Sequence, residues 1–255
     1  MSNNQQKIEA TRVLIICTVG LITAMLGLMS ILDVGPVPLI ATLTLWAVMS
    51  ALIFRGLKYH RFSVFGMANT VTTVRAAGTA LLAGLVPVAN ELAQMPLSSE
   101  NTLLWGLSLW VLFLLALDGV DGFLARRSGL SSSFGARFDM EIDALLALVI
   151  TLFLWQYGKA GIWVLGLGLM RYGFIVASFF AAPLRGDLFP SFRRKLICVV
   201  QLGALCLMLS PLSGSLSGTA LGFIAMIALA GSFVRDIVWL YANSNAGSTA
   251  SYPHN

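Results

Sequence analysis

Polar residues are scarce along this chain, and their positions divide it into elements. A polar opening, MSNNQQKIEATR (1–12), precedes eight apolar runs at about 13–32, 37–54, 70–89, 102–123, 139–158, 161–182, 195–213 and 218–241. Each run approaches the ~20 apolar residues that a helix needs to cross a bilayer. Hydrocarbon offers no water to satisfy a bare backbone, so segments of this length span as helices. The pattern predicts an all-α, polytopic integral membrane protein. The first run exceeds the apolar stretch of a signal peptide and is expected to remain as a span. The third is the weakest, because its first half, NTVTTVR (69–75), is polar. Residues 242–255, rich in Ser, Asn and Gly, are expected to form a disordered tail.

Composition agrees with that pattern. Of 255 residues, 58% are hydrophobic and only 11% charged, a balance that no water-soluble domain keeps. Cys17, Cys198 and Cys206 all lie in apolar runs without metal-ligand spacing, which argues against disulfides and a cysteine metal site. His60 and His254, in a loop and near the C-terminus, have no ligand spacing either. With the N-terminus in the cytoplasm, the inside segments hold Lys7, Arg12, Arg55, Lys58, Arg61, Arg126, Arg127, Arg137, Arg185, Arg193, Arg194 and Lys195. The outside segments hold Lys159 alone. That asymmetry obeys the positive-inside rule and places both termini in the cytoplasm. The net charge of +5 then reflects topology and anionic lipid head groups, with nucleic acid excluded as a partner. No P-loop, dinucleotide fingerprint or internal repeat is present.

Chemistry concentrates in DGVDGFLARRSGLSSSFGARFDMEID (118–143), which holds five of the eleven acidic residues. Carboxylates at or inside spanning segments are costly and mark functional sites. Asp118 and Asp121 are spaced i, i+3 on one expected helix, and Asp139 and Asp143 i, i+4 on the next, so each pair shares a face. Two such faces turned together make a four-carboxylate cage, which needs cations to remain ionised. One or two hard divalent ions turn it into the oxygen-ligand site that Mg²⁺ uses with substrate phosphates. Gly122 and Ala125 leave the first helix bare for a flat ligand, and Arg126 supplies a forked phosphate donor. The Ser- and Gly-rich connection 128–135 is turn chemistry that folds the second helix back beside the first.

These residues spell D-x2-D-G-x2-A-R-x8-G-x3-D-x3-D, met at Asp118, Asp121, Gly122, Ala125, Arg126, Gly135, Asp139 and Asp143. The chain thereby resembles the CDP-alcohol phosphotransferase (CDP-alcohol phosphatidyltransferase) family of membrane enzymes, which join a CDP-activated alcohol to a second alcohol and release CMP. The resemblance extends to Asn69, Thr72 and Arg75, which match the family's P-N-x-x-T-x-x-R except that Ala68 replaces the proline.

The resemblance implies a six-helix catalytic bundle over residues 65–241. Residues 1–64 are then a tail and two accessory transmembrane helices. It implies that Asp118, Asp121 and Asp139 ligate two divalent ions, Mg²⁺ or Mn²⁺, with Asp143 sharing the second site and acting as general base. Gly122, Ala125, Arg126 and Gly135, with Asn69, Thr72 and Arg75, would bind the CDP-linked substrate from the cytoplasmic side. For Arg75 the alternative is a snorkelling arginine. Arg185, Arg193, Arg194 and Lys195, in the most basic loop, are either topology anchors or a pocket for an acceptor phosphate. Arg171 lies mid-span and calls for an internal partner that the residues do not identify. Arg235 and Asp236 are expected to be interfacial or paired elsewhere.

The expected activity is phosphatidyl transfer from CDP-diacylglycerol to a small polar alcohol in phospholipid biosynthesis. Two alternatives stand beside it: a CDP-choline or CDP-ethanolamine phosphotransferase acting on diacylglycerol, and a cation-binding transporter. Homodimers are common in the family, though no residue here points to one.

Overall fold

The computed structural model describes residues 2–60, 62–128, 132–186 and 192–248. All eight apolar runs form helices: α1 (Ser2–Leu32), α2 (Val37–Gly56), α3 (Met67–Leu85), α4 (Leu97–Ser128), α5 (Ser133–Gln156), α6 (Leu165–Phe180), α7 (Phe192–Leu209) and α8 (Ser215–Ser248). Short helical turns lie between them, and no strand occurs among the described residues. The protein is an all-α, polytopic membrane protein.

Among the described residues, six segments are long and apolar enough to cross a membrane: Gln5–Leu32, Val37–Tyr59, Met67–Leu92, Leu97–Leu124, Ile162–Phe180 and Leu216–Asn243. The eight expected spans are thus not equal. The apolar part of α7, Leu196–Leu209, reaches roughly 21 Å at 1.5 Å per residue, short of a hydrocarbon core of roughly 30 Å. In α5 the first three turns carry Arg137, Asp139, Glu141 and Asp143, so its apolar stretch begins only at Ala144. Both shortfalls have one cause: these helices begin with charged residues. At the other end of the chain, α8 continues past the expected boundary at 241 to Ser248. The remainder of the expected tail, 249–255, lies outside the described residues.

The centre of the bundle is α3, packed against α1, α2, α4 and α5. Its sequence explains this place. Ala76-Ala77-Gly78-Thr79-Ala80 is a run of small residues, and small side chains let helices approach closely where no hydrophobic force drives association. All five are buried. Trp110 of α4 crosses this strip and donates its indole N–H to the Gly78 carbonyl at 3.1 Å. Around the centre, α5 packs on α6 and α7, α7 on α4 and α8, and α6 on α8.

The turn between α5 and α6 carries Lys159, the lone basic residue expected outside. Its ammonium donates to the carbonyls of Met208, Leu209 and Ser210, at 3.2, 3.2 and 2.5 Å. These are the free acceptors that every helix leaves at its C-terminus, here that of α7. Burial pulls the Lys159 pKa below the ordinary lysine value.

Candidate active site

Three helices meet at the site. α4 brings Asp118 and Asp121 near its C-terminus, and α5 brings Asp139 and Asp143 within its first three turns. α3 brings Asn69, Thr72 and Arg75 along one face. The start of α5 is fixed by Ser132, whose hydroxyl oxygen accepts the Gly135 N–H at 3.0 Å as an N-cap. Gly135 is also where α5 crosses α3. A β-carbon there would lie 3.0 Å from Asn69 Oδ1 and 3.3 Å from Ser132 Oγ, tighter than side chains normally pack. Glycine at this motif position therefore lets Asn69 touch the first turn of α5.

Arg75 joins the four aspartates. It is 1% exposed, so the snorkelling alternative is excluded. Its Nη1 lies 2.9 Å from Asp118 Oδ1, 2.9 Å from Asp121 Oδ2 and in contact with Asp139, while Nη2 pairs with Asp143. Thr72 adds a second donor to Asp121 Oδ2 at 3.0 Å. Asn69 turns its amide to the Phe65 carbonyl at 2.6 Å, which holds the start of α3. The Arg75 Nε is buried and has no partner among the described residues, leaving one donor over.

Four carboxylates thus face a single guanidinium, an arrangement with negative charge to spare. One oxygen each from Asp118, Asp121 and Asp139 falls within 4.8 Å of the others. Hard oxygen donors this close suit a divalent cation such as Mg²⁺ or Mn²⁺. The donor set fits the ion that the sequence suggests.

The remaining candidates divide. Gly122 follows Asp121 on α4, half-buried. The side chains of Ala125, Arg126, Arg185 and Lys195 lie outside the described ones. Arg193 and Arg194 are described, and both engage α8: Arg193 Nη2 lies 3.0 Å and Arg194 Nη1 3.6 Å from the Asp236 carboxylate, and Arg193 also reaches Ser232 Oγ at 3.3 Å. Asp236 is therefore paired across to α7. Arg171 finds its partner on α5, in Glu141 at 2.5 Å, rather than among the aspartates.

Two polar residues outside the motif, the buried His60 and the half-buried Glu9, escaped the sequence reading. His60 is 8% exposed, with Nδ1 3.1 Å from Ser132 Oγ and Nε2 3.1 Å from the Val64 carbonyl. Glu9 of α1 accepts the Phe65 N–H at 2.9 Å. A single polar residue, whether in a loop (His60) or in the polar opening of a helix (Glu9), carries no periodic signal, so neither could be read from spacing.

No curated protein and no solved structure matches the chain. The family model for CDP-alcohol phosphatidyltransferase matches residues 65–234, which is 170 of 255 residues and includes Asp118, Asp121, Asp139 and Asp143. By that match the chain belongs to the CDP-alcohol phosphatidyltransferase family, membrane transferases of phospholipid biosynthesis.

Proposed function

We propose that the protein transfers a phosphatidyl group from CDP-diacylglycerol to the hydroxyl of a small polar alcohol and releases CMP, at a site open to the cytoplasm. The observation that carries this reading is the convergence of Asp118, Asp121, Asp139 and Asp143 on Arg75, within a chain of this family. The cytoplasmic placement is supported by the basic residues clustered at the same ends of the helices as the aspartates.

In this reading Asp118, Asp121 and Asp139 would hold two Mg²⁺ or Mn²⁺ ions, with Asp143 sharing the second. Ions bound there would supply positive charge against the substrate's pyrophosphate. Asp143 takes the proton of the acceptor hydroxyl as that oxygen attacks the phosphorus remote from cytidine. The new bond joins acceptor oxygen to phosphorus, and the bond to CMP breaks. Arg75, with the Nε donor left over, holds a pyrophosphate oxygen and keeps the carboxylates in register. Gly122, Ala125, Arg126 and Gly135 line the path of the CDP moiety.

Arg185, Arg193, Arg194 and Lys195 would receive an acceptor phosphate, but Asp236 already shares Arg193 and Arg194. A phosphorylated acceptor must compete with that carboxylate, whereas inositol or serine need not. The test incubates membranes containing the protein with labelled CDP-diacylglycerol and, separately, serine, glycerol 3-phosphate, inositol and inositol phosphate. One acceptor should yield a labelled phospholipid and stoichiometric CMP. Labelled product with none of them, but with CDP-choline and diacylglycerol, would reverse the donor assignment.

A further inference from the structure

Residues 1–64 lie outside the stretch that matches the family, and the sequence assigns them no chemistry. Yet they reach two of the three helices that carry the site, α3 and α5. Glu9 of α1 accepts the Phe65 N–H at 2.9 Å, and Gln6 donates to the Leu57 carbonyl at 3.4 Å. Together these contacts tie α1 to the segment before α3. That segment ends at Gly66, whose φ of +83° and ψ of 151° are accessible essentially to glycine alone. Gly66 lies two residues before Ala68, which stands where the family has proline, and the N–H of Phe65 beside it is held by a side chain of α1.

The second contact is with α5. Val64 O can only accept, so in the neutral ring Nε2 of His60 carries the hydrogen and Nδ1 accepts from the Ser132 hydroxyl. Ser132 Oγ in turn accepts the Gly135 N–H that starts α5. Packing follows the same line. His60 meets Phe134 edge-on with centroids 5.7 Å apart, and Phe134 stacks on Phe138, the residue before Asp139. Gly56, the last residue of α2, leaves room for the Phe134 ring: a β-carbon there would fall 2.2 Å from Phe134 Cε2. The contacts run from α1 and α2 through His60, Ser132 and Phe134 to the turn that aims Asp139 and Asp143.

We infer that the N-terminal unit is a brace for the active site, with His60 and Glu9 as positioning residues that set how α5 and α3 present their charged groups. This rests on the reading that the aspartates bind divalent ions, and it adds a role for residues outside the family-matched region. His60→Leu removes both polar contacts, and His60→Asn keeps a polar group beside Ser132. Glu9→Gln tests the α3 contact with a smaller risk of misfolding.

The experiment uses the full-length protein in lipid nanodiscs and reads Mn²⁺ binding, hydrogen exchange of the Gly135–Phe138 amides, and kcat and KM separately. The expected result for His60→Leu is a roughly tenfold weaker Mn²⁺ affinity, faster exchange at 135–138 and a roughly tenfold lower kcat. Donor KM should change less, and His60→Asn should restore most of the loss. Glu9→Gln should weaken Mn²⁺ binding in the same direction. Unchanged Mn²⁺ affinity and exchange in His60→Leu, with binding intact in the wild type, overturns the brace. A loss confined to thermal stability, with normal kcat per folded molecule, also overturns it. Absence of Mn²⁺ binding in the wild type instead refutes the underlying metal reading.

Discussion

Replacing Arg75 by Gln is the perturbation whose outcome the structure constrains most tightly. Glutamine keeps much of the reach but removes the charge that four carboxylates share. Two unit charges about 4 Å apart interact by roughly 4 kcal/mol at an effective dielectric near 20, so each contact is substantial before desolvation is counted. Removing one partner from a buried ion pair usually costs about 3–5 kcal/mol, because the other partner stays buried and uncompensated. The 1% exposure of Arg75 and 4% exposure of Asp121 place this site in that class. In chelator, Arg75→Gln should therefore lose about 3–5 kcal/mol of stability. At roughly 2–4 °C per kcal/mol for a chain of this size, Tm should fall by about 6–20 °C. Divalent ions should reverse the order of effects. With the guanidinium gone, the cage is more negative and binds Mn²⁺ more tightly, and ligand binding to the folded state alone raises stability. The assay is thermal unfolding in detergent across a Mn²⁺ series. The variant should gain more from Mn²⁺ than the wild type while its donor KM rises. An unchanged Tm in chelator, or equal Mn²⁺ increments in both proteins, refutes the idea that Arg75 and a divalent ion neutralise the same carboxylates.

Further outcomes are expected from single changes elsewhere. Asp143→Asn should reduce turnover far more than CDP-lipid affinity, whereas Asp118→Asn should weaken ion and nucleotide binding as well; equal losses of affinity would make Asp143 chiefly a ligand. Asp236→Asn removes the carboxylate charge that Arg193 and Arg194 share, so a phosphorylated acceptor should bind several-fold more tightly with donor KM unchanged, and unchanged acceptor kinetics would leave those arginines as anchors. Lys159→Met should lower stability by about 1–2 kcal/mol because the α7 C-terminal carbonyls lose its ammonium, with kcat retained, as read from Tm and CMP release on the same preparation.

The sequence was most legible where one rule repeated. Apolar runs located all eight helices, because crossing hydrocarbon demands length and leaves few alternatives. The aspartate motif located the site, because charge is rare in such a chain and its spacing was helical. Legibility failed where a single residue answered a tertiary need. The polar start of α3 made it look the weakest span, yet α3 is the most deeply buried helix, since Asn69, Thr72 and Arg75 face partners instead of lipid. The partner of Arg171 was Glu141, a motif neighbour that points away from the cage. His60 and Glu9 gave no pattern at all. Their contacts span 72 and 56 residues, distances over which spacing carries no information.

Phosphatidyl transfer by the aspartate cage with divalent ions is tested most directly by CMP release from the purified protein in vesicles containing CDP-diacylglycerol, with its preferred acceptor, as free Mg²⁺ is titrated. The expected result is no release in excess chelator, recovery with added Mg²⁺ or Mn²⁺, and no recovery in Asp121→Asn at any ion concentration that saturates the wild type. Full turnover in excess chelator, or wild-type turnover by Asp121→Asn, would contradict it.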